Sequence, residues 1–273
     1  MYFFDSHAHI QRSRSGRGVE FAKVLENARK TGVRAILVPS VNRADWDKLP
    51  QIVAIEGLEL YFSLGLHPFF VLEITSEATS DLVQELKVRV RNAEPRMRAI
   101  GECGLDFLRG RSIDQREHQL AVFRAQLELA RETGLPMTIH CVRAHGPMIE
   151  LLRERPTPPS VMHAFSGSAE VARACVAAGH YVSFAGNLLL AKARKVVEAA
   201  VAVPNDRLLI ETDTPDQTPP ARRPADNEPA FIVDVARRLA QLRETSVEAI
   251  AAITFANAER VFGRAGSSKT TSR

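Results

Sequence analysis

The sequence predicts an α/β protein folded as a (β/α)8 TIM-type barrel with an extra C-terminal helix, and three observations support this. Short apolar runs alternate with segments of helical periodicity, one such unit recurs about every thirty residues, and eight units fit within the 273-residue chain. Strands that alternate with helices favour a parallel sheet with helices outside it, and (β/α)8 barrels are typically about 250 residues long. A doubly wound open sheet is the alternative.

Eight short apolar runs are the predicted strands. Each is short and mostly apolar, as buried strands of a parallel sheet are. They comprise residues 2–4, 34–38, 60–64, 98–101, 136–139, 161–162, 181–184 and 208–210. Eight strands within this chain length favour closure into a barrel over an open sheet.

The segments between the strands carry apolar residues at helical spacing, with charged residues on the opposite face. Phe21, Val24 and Leu25 show this pattern in the first of them. Gly32 and Gly134 each follow such a segment, and glycine there predicts a helix C-terminus because it readily adopts the left-handed conformation.

The C-terminal part of the chain adds one element to the barrel. A further helix is predicted over residues 247–261, after an N-cap at Thr245-Ser246. The polar residues 264–273 are predicted to be a disordered tail. We therefore expect residues 1–263 to form a single domain.

Composition narrows the class of protein. A net charge of +4, 45% hydrophobic residues and 25% charged residues are ordinary for a globular protein. Three cysteines without a CxxC pair make a disulfide framework improbable, which favours a cytoplasmic protein. We expect no secretory signal, because the first residues lack a basic region and a long apolar stretch, and no membrane span, because glycines interrupt the longest uncharged run at residues 174–191. We expect no nucleotide cofactor, since neither a Gly-x-Gly-x-x-Gly nor a Gly-x4-Gly-Lys-Ser/Thr motif occurs. The protein is expected to be a monomer.

Residues that can bind metal ions cluster in one part of the predicted fold. Nearly every histidine or acidic residue of this kind lies at or just past the carboxyl end of a predicted strand. They are Asp5, His7, His9, His67, Glu102, Asp106, His140, His163, Glu211 and Asp213. These strand ends meet on one face of a barrel, where active sites are found. We therefore expect one pocket built from residues that are far apart in sequence.

Taken singly, each of these residues could have a purely structural role. His7 and His9 are two positions apart on a strand, so their rings point the same way, but such a pair can also be packed without metal. Glu102 follows an apolar strand, where a carboxylate is costly to bury unless it is paired or bound to metal. His140 and His163 could be ordinary buried histidines.

Taken together, the residues favour a metal centre. Four histidines and two carboxylates on one face supply enough ligands for two divalent ions, with Glu102 able to bridge them. Imidazole and oxygen ligands without cysteine suit Zn²⁺, Mn²⁺ or Mg²⁺. Two ions about 3.5–4 Å apart can activate a water and hold the attacking and leaving oxygens of a displacement at phosphorus. Metal-assisted hydrolysis is therefore the predicted reaction class.

Short motifs along the chain carry a family resemblance. They are 5–9 (DSHAH), 65–68 (GLHP), 100–106 (IGECGLD), 163–168 (HAFSGS), 211–215 (ETDTP) and 257–262 (NAERVF). In sequence and in order, these motifs resemble the TatD family of metal-dependent deoxyribonucleases, which belongs to the metal-dependent hydrolase superfamily. The resemblance extends from Tyr2 to about Phe262.

The resemblance implies a TIM-type barrel and a phosphodiesterase that uses two divalent ions. The implied ligands are His7, His9, Glu102 and Asp213 for one ion, and Glu102, His140 and His163 for the other. The resemblance also places His67 close to the substrate phosphate. Glu211, two residues before a ligand, is predicted to support a ligand or to handle a proton. With Asp213 as an additional proton acceptor, the predicted catalytic residues are Glu102, Glu211 and Asp213.

Two departures from the family pattern affect substrate binding. Many members have His-Ser-Arg at strand five, whereas here the arginine is one position later, at Arg143. Arg143 and His145 resemble an Arg-x-His pair of one bacterial subgroup and are, with His67, the predicted substrate-binding residues. Residues 213–217 (DTPDQ) differ from the common Ser-Pro-Tyr-Leu continuation, so the rim of the pocket is expected to differ as well.

Arginines in the strand-end loops predict a polyanionic substrate, with DNA as the expected one. Arg12, Arg14 and Arg17 follow strand one, and Arg109 follows strand four. Positive charge around a metal pocket attracts polyanions and makes their binding depend on salt. Replacing Arg12, Arg14 and Arg17 by alanine should weaken DNA binding and flatten its salt dependence in a binding titration. Unchanged affinity and slope would mean that the loop is only a solvated segment.

Two alternative functions stay open at this point. One is a metal-dependent hydrolase of small amides, lactones or esters on the same barrel, and the other is a non-catalytic binding protein. A carboxylate bridge at Glu102, in place of the modified lysine found in many superfamily members, favours the TatD-like enzyme. No implied ligand is missing, which argues against a silent protein.

Overall fold

The computed structural model describes residues 1–12 and 19–263, and its eight parallel strands form one sheet in chain order. The strands are β1 (Phe3–Asp5), β2 (Val33–Pro39), β3 (Glu59–Leu64), β4 (Met97–Asp106), β5 (Met137–Val142), β6 (Val161–Met162), β7 (Tyr181–Phe184) and β8 (Leu208–Ile210). Each of the eight predicted runs contributes a strand, which confirms the predicted (β/α)8 barrel over the open sheet.

Helices connect the strands along the described chain. They are α1 (Val19–Thr31), α2 (Arg43–Lys48), α3 (Pro68–Val71), α4 (Ser76–Arg91), α5 (Ile113–Thr133), α6 (His145–Glu154), α7 (Ala169–Ala177), α8 (Arg194–Ala202), α9 (Ile232–Leu242) and α10 (Val247–Phe262). Gly32 and Gly134 have φ angles of 101° and 70°, so both predicted helix stops are confirmed. Ser246 caps α10 by accepting the Ala249 N–H, which confirms the extra C-terminal helix.

Strand β4 is longer than predicted, and this changes the setting of two acidic residues. The prediction ended the strand at residue 101, but β4 continues to Asp106 through a register shift between Ile100 and Cys103. Glu102 and Asp106 therefore lie within the strand rather than past its end. Gly104 permits the close approach of β4 to β5, because a Cβ at its φ of 137° would press on the His140 carbonyl oxygen.

The barrel is nearly closed by contacts between β8 and β1. The Ser6 N–H donates to the Ile210 carbonyl at 3.3 Å, and the Asp213 N–H donates to the His7 carbonyl at 2.9 Å. The buried Asp5 carboxylate accepts the Thr212 N–H at 3.0 Å and the Thr212 hydroxyl at 2.6 Å. These bonds fix the segment of His7 relative to that of Asp213.

Helix α10 closes the opposite end of the barrel through an aromatic cluster. The Phe4 ring centroid lies 6.0 Å from that of Phe262 and 5.9 Å from that of Tyr61. The side chain of Phe262 is fully buried. Asn257 donates from Nδ2 to the carbonyls of Asn205 and Leu208, at 2.7 and 2.9 Å. Apolar burial and these bonds together attach α10 to the start of β8.

Phe262→Ala is expected to lower the free energy of unfolding by about 3–5 kcal/mol, because it removes a fully buried aromatic ring and leaves a cavity. Urea denaturation measures this change. Val88→Ala is the matched control, since Val88 is 57% exposed on α4 and its truncation should cost less than about 0.5 kcal/mol. Equal effects of the two substitutions would show that α10 does not anchor the barrel.

No helix in the described ranges is both long enough and apolar enough to cross a membrane. The predicted tail at residues 264–273 lies outside the described residues, as do Arg14 and Arg17.

Candidate metal centre

A cavity of about 420 Å³ opens at the carboxyl ends of the strands, and the residues predicted to bind metal line it. The lining includes His9, His67, Glu102, His140, His163 and Asp213. His7 lies beneath them and is fully buried. The fold therefore brings together all six predicted metal ligands, which come from β4, β5 and the segments that follow β1, β6 and β8.

Glu102 lies at the centre of the cluster, and its two carboxylate oxygens face different histidines. Oε2 lies 3.3 Å from His7 Nε2 and 3.0 Å from His9 Nε2. Oε1 lies 3.1 Å from His140 Nδ1 and 2.8 Å from His163 Nε2. One carboxylate thus joins two separate sets of nitrogen donors, and a bridging ligand requires this arrangement.

Each of the four histidines has one ring nitrogen engaged by the surrounding fold. Three of these contacts are hydrogen bonds: His7 with Thr138 Oγ1 (2.8 Å), His9 with the Pro39 carbonyl (3.2 Å) and His140 with Asp106 Oδ2 (3.1 Å). The fourth is a contact without hydrogen-bond alignment, in which His163 Nδ1 lies 3.3 Å from Glu211 Oε1. Carbonyl and carboxylate oxygens can only accept, so the contacts of His9 and His140 place the ring N–H away from the centre, and the Thr138 hydroxyl can accept the His7 N–H in the same way. The other nitrogen then presents a lone pair towards Glu102, as is usual for histidine metal ligands.

His67 has the opposite orientation. Its Nδ1 accepts the backbone N–H of Phe69 at 3.0 Å, so the proton of the neutral ring lies on Nε2. That nitrogen is 3.1 Å from Glu102 Oε1 and faces the cavity. In this state His67 is a hydrogen-bond donor and has no lone pair to offer an ion, although its position allows it to join a cluster with Glu102 and His140.

Asp213 faces the first pair of histidines from the end of β8. Its Oδ1 lies 3.9 Å from His7 Nε2 and 4.0 Å from His9 Nε2. Its Oδ2 accepts a hydrogen bond of 2.7 Å from Gln217 Nε2. Its backbone has a φ of 55°, a left-handed conformation that aspartate tolerates better than most residues. Burial raises the pKa of Asp213 to about 6.

Glu211 is fully buried behind the cluster and contacts His163. It accepts the Ala164 N–H at 2.5 Å and the Ser6 hydroxyl at 3.0 Å. Its Oε1 lies beside His163, 3.3 Å from Nδ1. Glu211 therefore connects three strand ends to one histidine and orients that ring.

The cluster places negative charge at its centre. Burial acts against a charge on Glu102, yet the surrounding histidines outweigh it and hold the pKa of Glu102 well below its usual value. Burial also disfavours a proton on His163, but Glu102 and Glu211 raise its pKa well above normal. Burial lowers the pKa of His7 to about 3, so this ring is neutral. An anionic Glu102 carboxylate beside the neutral ring of His7 is a suitable environment for a divalent cation.

The donor set fits metal ions in type and in spacing. Groups of nitrogen and oxygen donors lie within 4.8 Å of one another, among them the group of His7, His9 and Asp213. Donor atoms about 3 Å apart are expected around an ion bonded at about 2.0–2.2 Å. Ligands that are only imidazole and carboxylate suit Zn²⁺, Mn²⁺ or Mg²⁺. The cluster can therefore hold the divalent ions that the sequence predicts.

Comparison with known proteins identifies the family. The model of the TatD related DNase family matches residues 4–263. The chain belongs to the TatD family. It is therefore a metal-dependent hydrolase, and this confirms the resemblance seen in the sequence motifs.

Relatives of the chain agree with this assignment. It is 36% identical to the metal-dependent hydrolase YabD of Bacillus subtilis, over 95% of this chain and 98% of that protein. It is 33% identical to the 3'-5' ssDNA/RNA exonuclease TatD of Erwinia amylovora, over 88% of this chain and 93% of that protein. The crystal structure of YJJV, a TatD homologue from Escherichia coli K12, superposes with a TM-score of 0.82 at 28% identity and covers 96% of this chain and 98% of that one.

Two of the three predicted substrate-binding residues stand apart from the cavity. Among the described residues, those lining the cavity include His67 but neither Arg143 nor His145. Strand β5 ends at Val142, so strand alternation no longer governs Arg143, which is exposed with a left-handed φ of 54°. His145 begins α6, and its ring lies 6.0 Å from that of Phe165.

The structure also shows supporting contacts that the sequence did not predict. Gln217, at a position where many TatD proteins have leucine, donates to Asp213 and accepts the Asn187 N–H at 2.9 Å. Thr138 and Asp106 orient His7 and His140. Asp106 was visible as a strand-end carboxylate, but the partners of Gln217 and Thr138 are distant in sequence and leave no local signal. Arg12, one of the predicted strand-end arginines, lines the cavity and pairs with Asp45 at 3.1 Å.

Proposed function

We propose that this TatD protein is a DNase that hydrolyses phosphodiester bonds with two divalent ions joined by Glu102. The division of the Glu102 oxygens between two sets of histidines is the observation that carries the proposal. His7, His9, Glu102 and Asp213 would hold one ion, and Glu102, His140 and His163 the other. Ions bound there would supply Lewis acidity to the phosphoryl group and activate water for attack.

The residues of the chain contribute positioning and proton handling. His67 directs its Nε2–H into the cavity, where it can donate to a phosphate oxygen. Asp213 exposes Oδ1 to the same space while Gln217 holds Oδ2, so Oδ1 is placed to accept a proton. Glu211 fixes the ring of His163 from behind. Glu102, Glu211 and Asp213 are accordingly the proposed catalytic carboxylates, acting by bridging, by support and by proton acceptance.

Nucleic acid is the substrate class that the surroundings favour. Arg12 places a guanidinium in the lining of the cavity, and the relative from Erwinia amylovora is named for action on single-stranded DNA and RNA. Arg143, exposed beyond β5, and His145 would contact the strand outside the cavity rather than within it. We also infer a cytoplasmic location, since Cys103, Cys141 and Cys175 are all buried free thiols. A monomer stays a prediction from the sequence.

A metal-reconstituted assay tests the proposal. End-labelled single-stranded DNA, double-stranded DNA and RNA are incubated with Mg²⁺, Mn²⁺ or Zn²⁺, beside a panel of small amides, lactones and esters. We expect hydrolysis of DNA that chelation abolishes. Turnover of a lactone or amide without cleavage of any nucleic acid would instead support the small-molecule hydrolase, and binding of DNA without turnover would support a non-catalytic protein.

Gln217→Leu is expected to weaken metal binding and lower kcat by about 10-fold. The reason is that loss of a residue that hydrogen-bonds to a metal ligand and orients it typically lowers metal affinity or activity by about 10- to 100-fold. Isothermal titration with Mn²⁺ measures the first effect and steady-state kinetics the second. Gln84→Leu on the exposed face of α4 is the control. Wild-type metal affinity and kcat in Gln217→Leu would show that the amide does not position Asp213.

A further inference from the structure

An exposed aromatic ring stands at the mouth of the metal cavity. Phe69 lines the cavity and is 37% exposed, whereas Val71 is buried and Phe70 packs against the hydrophobic core. The Phe69 ring centroid lies 4.6 Å from that of His67 and 5.7 Å from that of His140. Part of a large apolar ring is thus left in water directly beside His67 and His140 of the candidate metal centre.

The backbone fixes this ring relative to the metal centre. Phe69 is in the first turn of α3, and its N–H donates to Nδ1 of His67. The Leu72 N–H in turn donates to the Phe69 carbonyl at 3.2 Å. The position of Phe69 is therefore tied to the same ring that faces Glu102.

A cation lies next to the ring. The guanidinium carbon of Arg109 is 5.1 Å from the Phe69 ring centroid. No carboxylate within the described residues forms a salt bridge with Arg109, which is exposed. The loop that carries it is anchored by Asp106 Oδ1, which accepts the N–H groups of Leu108 and Arg109 at 3.0 and 2.8 Å. Asp106 Oδ2 contacts His140. The Phe69 ring and the Arg109 guanidinium are therefore both positioned by residues that contact the metal cluster.

We propose that Phe69 and Arg109 form a stacking site for an unpaired base of a single strand whose phosphate lies in the metal cavity. This inference rests on the proposed nuclease function. Sites for single-stranded nucleic acid combine aromatic rings, on which bases stack, with basic side chains that follow the backbone. The exposed part of the Phe69 ring provides the apolar surface, and Arg109 supplies positive charge for a neighbouring phosphate.

The site has a consequence for substrate choice. A base can lie on the ring only when it is not paired, so the enzyme should prefer single-stranded ends or frayed ends of duplexes. Stacking of one base on an aromatic ring changes affinity by about 5- to 150-fold, and every base has a face that can stack. The site therefore selects for strandedness and tolerates any sequence.

The test compares oligonucleotides that differ by a single base. The substrates are a single-stranded DNA, the same strand with an abasic 3' terminal nucleotide, and the same strand with an abasic 5' terminal nucleotide. For the wild-type enzyme, kcat/KM on the intact strand should exceed that on one of the abasic strands by about 10-fold or more. In Phe69→Leu this ratio should approach one, whereas Phe69→Tyr, which keeps an aromatic face, should retain it.

A second readout does not depend on catalysis. Fluorescence anisotropy of the metal-loaded enzyme measures binding of the same strands made with non-hydrolysable phosphorothioate linkages, and Phe69→Leu should reduce the preference for the intact strand by a similar factor. A ratio that is the same in wild type and Phe69→Leu would overturn the stacking site and assign Phe69 to packing around His67. Failure of the wild-type enzyme to cleave any strand would instead contradict the proposed nuclease function.

Discussion

Glu102→Gln is expected to lower kcat for phosphodiester hydrolysis by about 10³-fold or more, which corresponds to about 4 kcal/mol of transition-state stabilisation. The substitution keeps the volume of the side chain but removes the negative charge and one of the two oxygens that face the histidine sets. The two ions would then no longer share a ligand. Steady-state kinetics with added Mn²⁺ measures the loss, and calorimetry should show fewer than two ions bound per chain.

The fold should survive this change, because the strands around Glu102 are held by their own ladders and by the closure between β8 and β1. Circular dichroism melting provides the check, and Glu102→Ala should behave alike. Glu117→Gln on exposed α5 is the matched control for removal of a carboxylate. Substantial metal-dependent turnover by a folded Glu102→Gln enzyme would remove this residue from the bridging position.

Glu211→Ala is expected to reduce both stability and activity. It leaves the Ala164 N–H and the Ser6 hydroxyl without their buried acceptor and leaves His163 without a neighbouring charge. Breaking a buried charged contact of this kind costs about 3–5 kcal/mol. Loss of the residue that orients a metal ligand should in addition lower metal affinity by about 10- to 100-fold.

Glu211→Gln separates the two effects. Glutamine keeps an oxygen for the Ala164 N–H and should therefore lose less stability than alanine, but it lacks the charge beside His163. We expect urea denaturation to show a smaller loss for Gln than for Ala, with metal affinity reduced in both. If Glu211→Gln bound metal and turned over substrate like the wild type, Glu211 would be a structural residue only.

The sequence was sufficient for the fold and for the expectation that the predicted metal ligands meet in one pocket. The alternation of apolar runs with helical segments is a local pattern, so it located all eight strands. The pocket followed from a general property of barrels, since His7 and Asp213 meet only because the carboxyl ends of all strands share one face. The six predicted ligands accordingly lie in one cluster.

What the sequence could not predict depends on contacts between distant segments. The orientation of His67 is set by a turn in which it caps its own helix, and that of His7 by a threonine on another strand. The extension of β4 to Asp106 requires a register shift that no hydrophobic pattern encodes. Arg143 was placed by analogy along the strand, yet β5 ends one residue earlier and the backbone turns. Gln217 was visible only as part of a departure from the family pattern, and Phe69 went unnoticed. Only the assembled cavity shows what these two side chains contact.

The central claim is that Glu102 joins two metal ions held by separate sets of histidines. Crystals grown with Mn²⁺ and measured near its absorption edge test this most directly. We expect two anomalous peaks, one among His7, His9, Glu102 and Asp213 and the other among Glu102, His140 and His163. A single peak, or peaks that do not both contact Glu102, would contradict the two-metal centre.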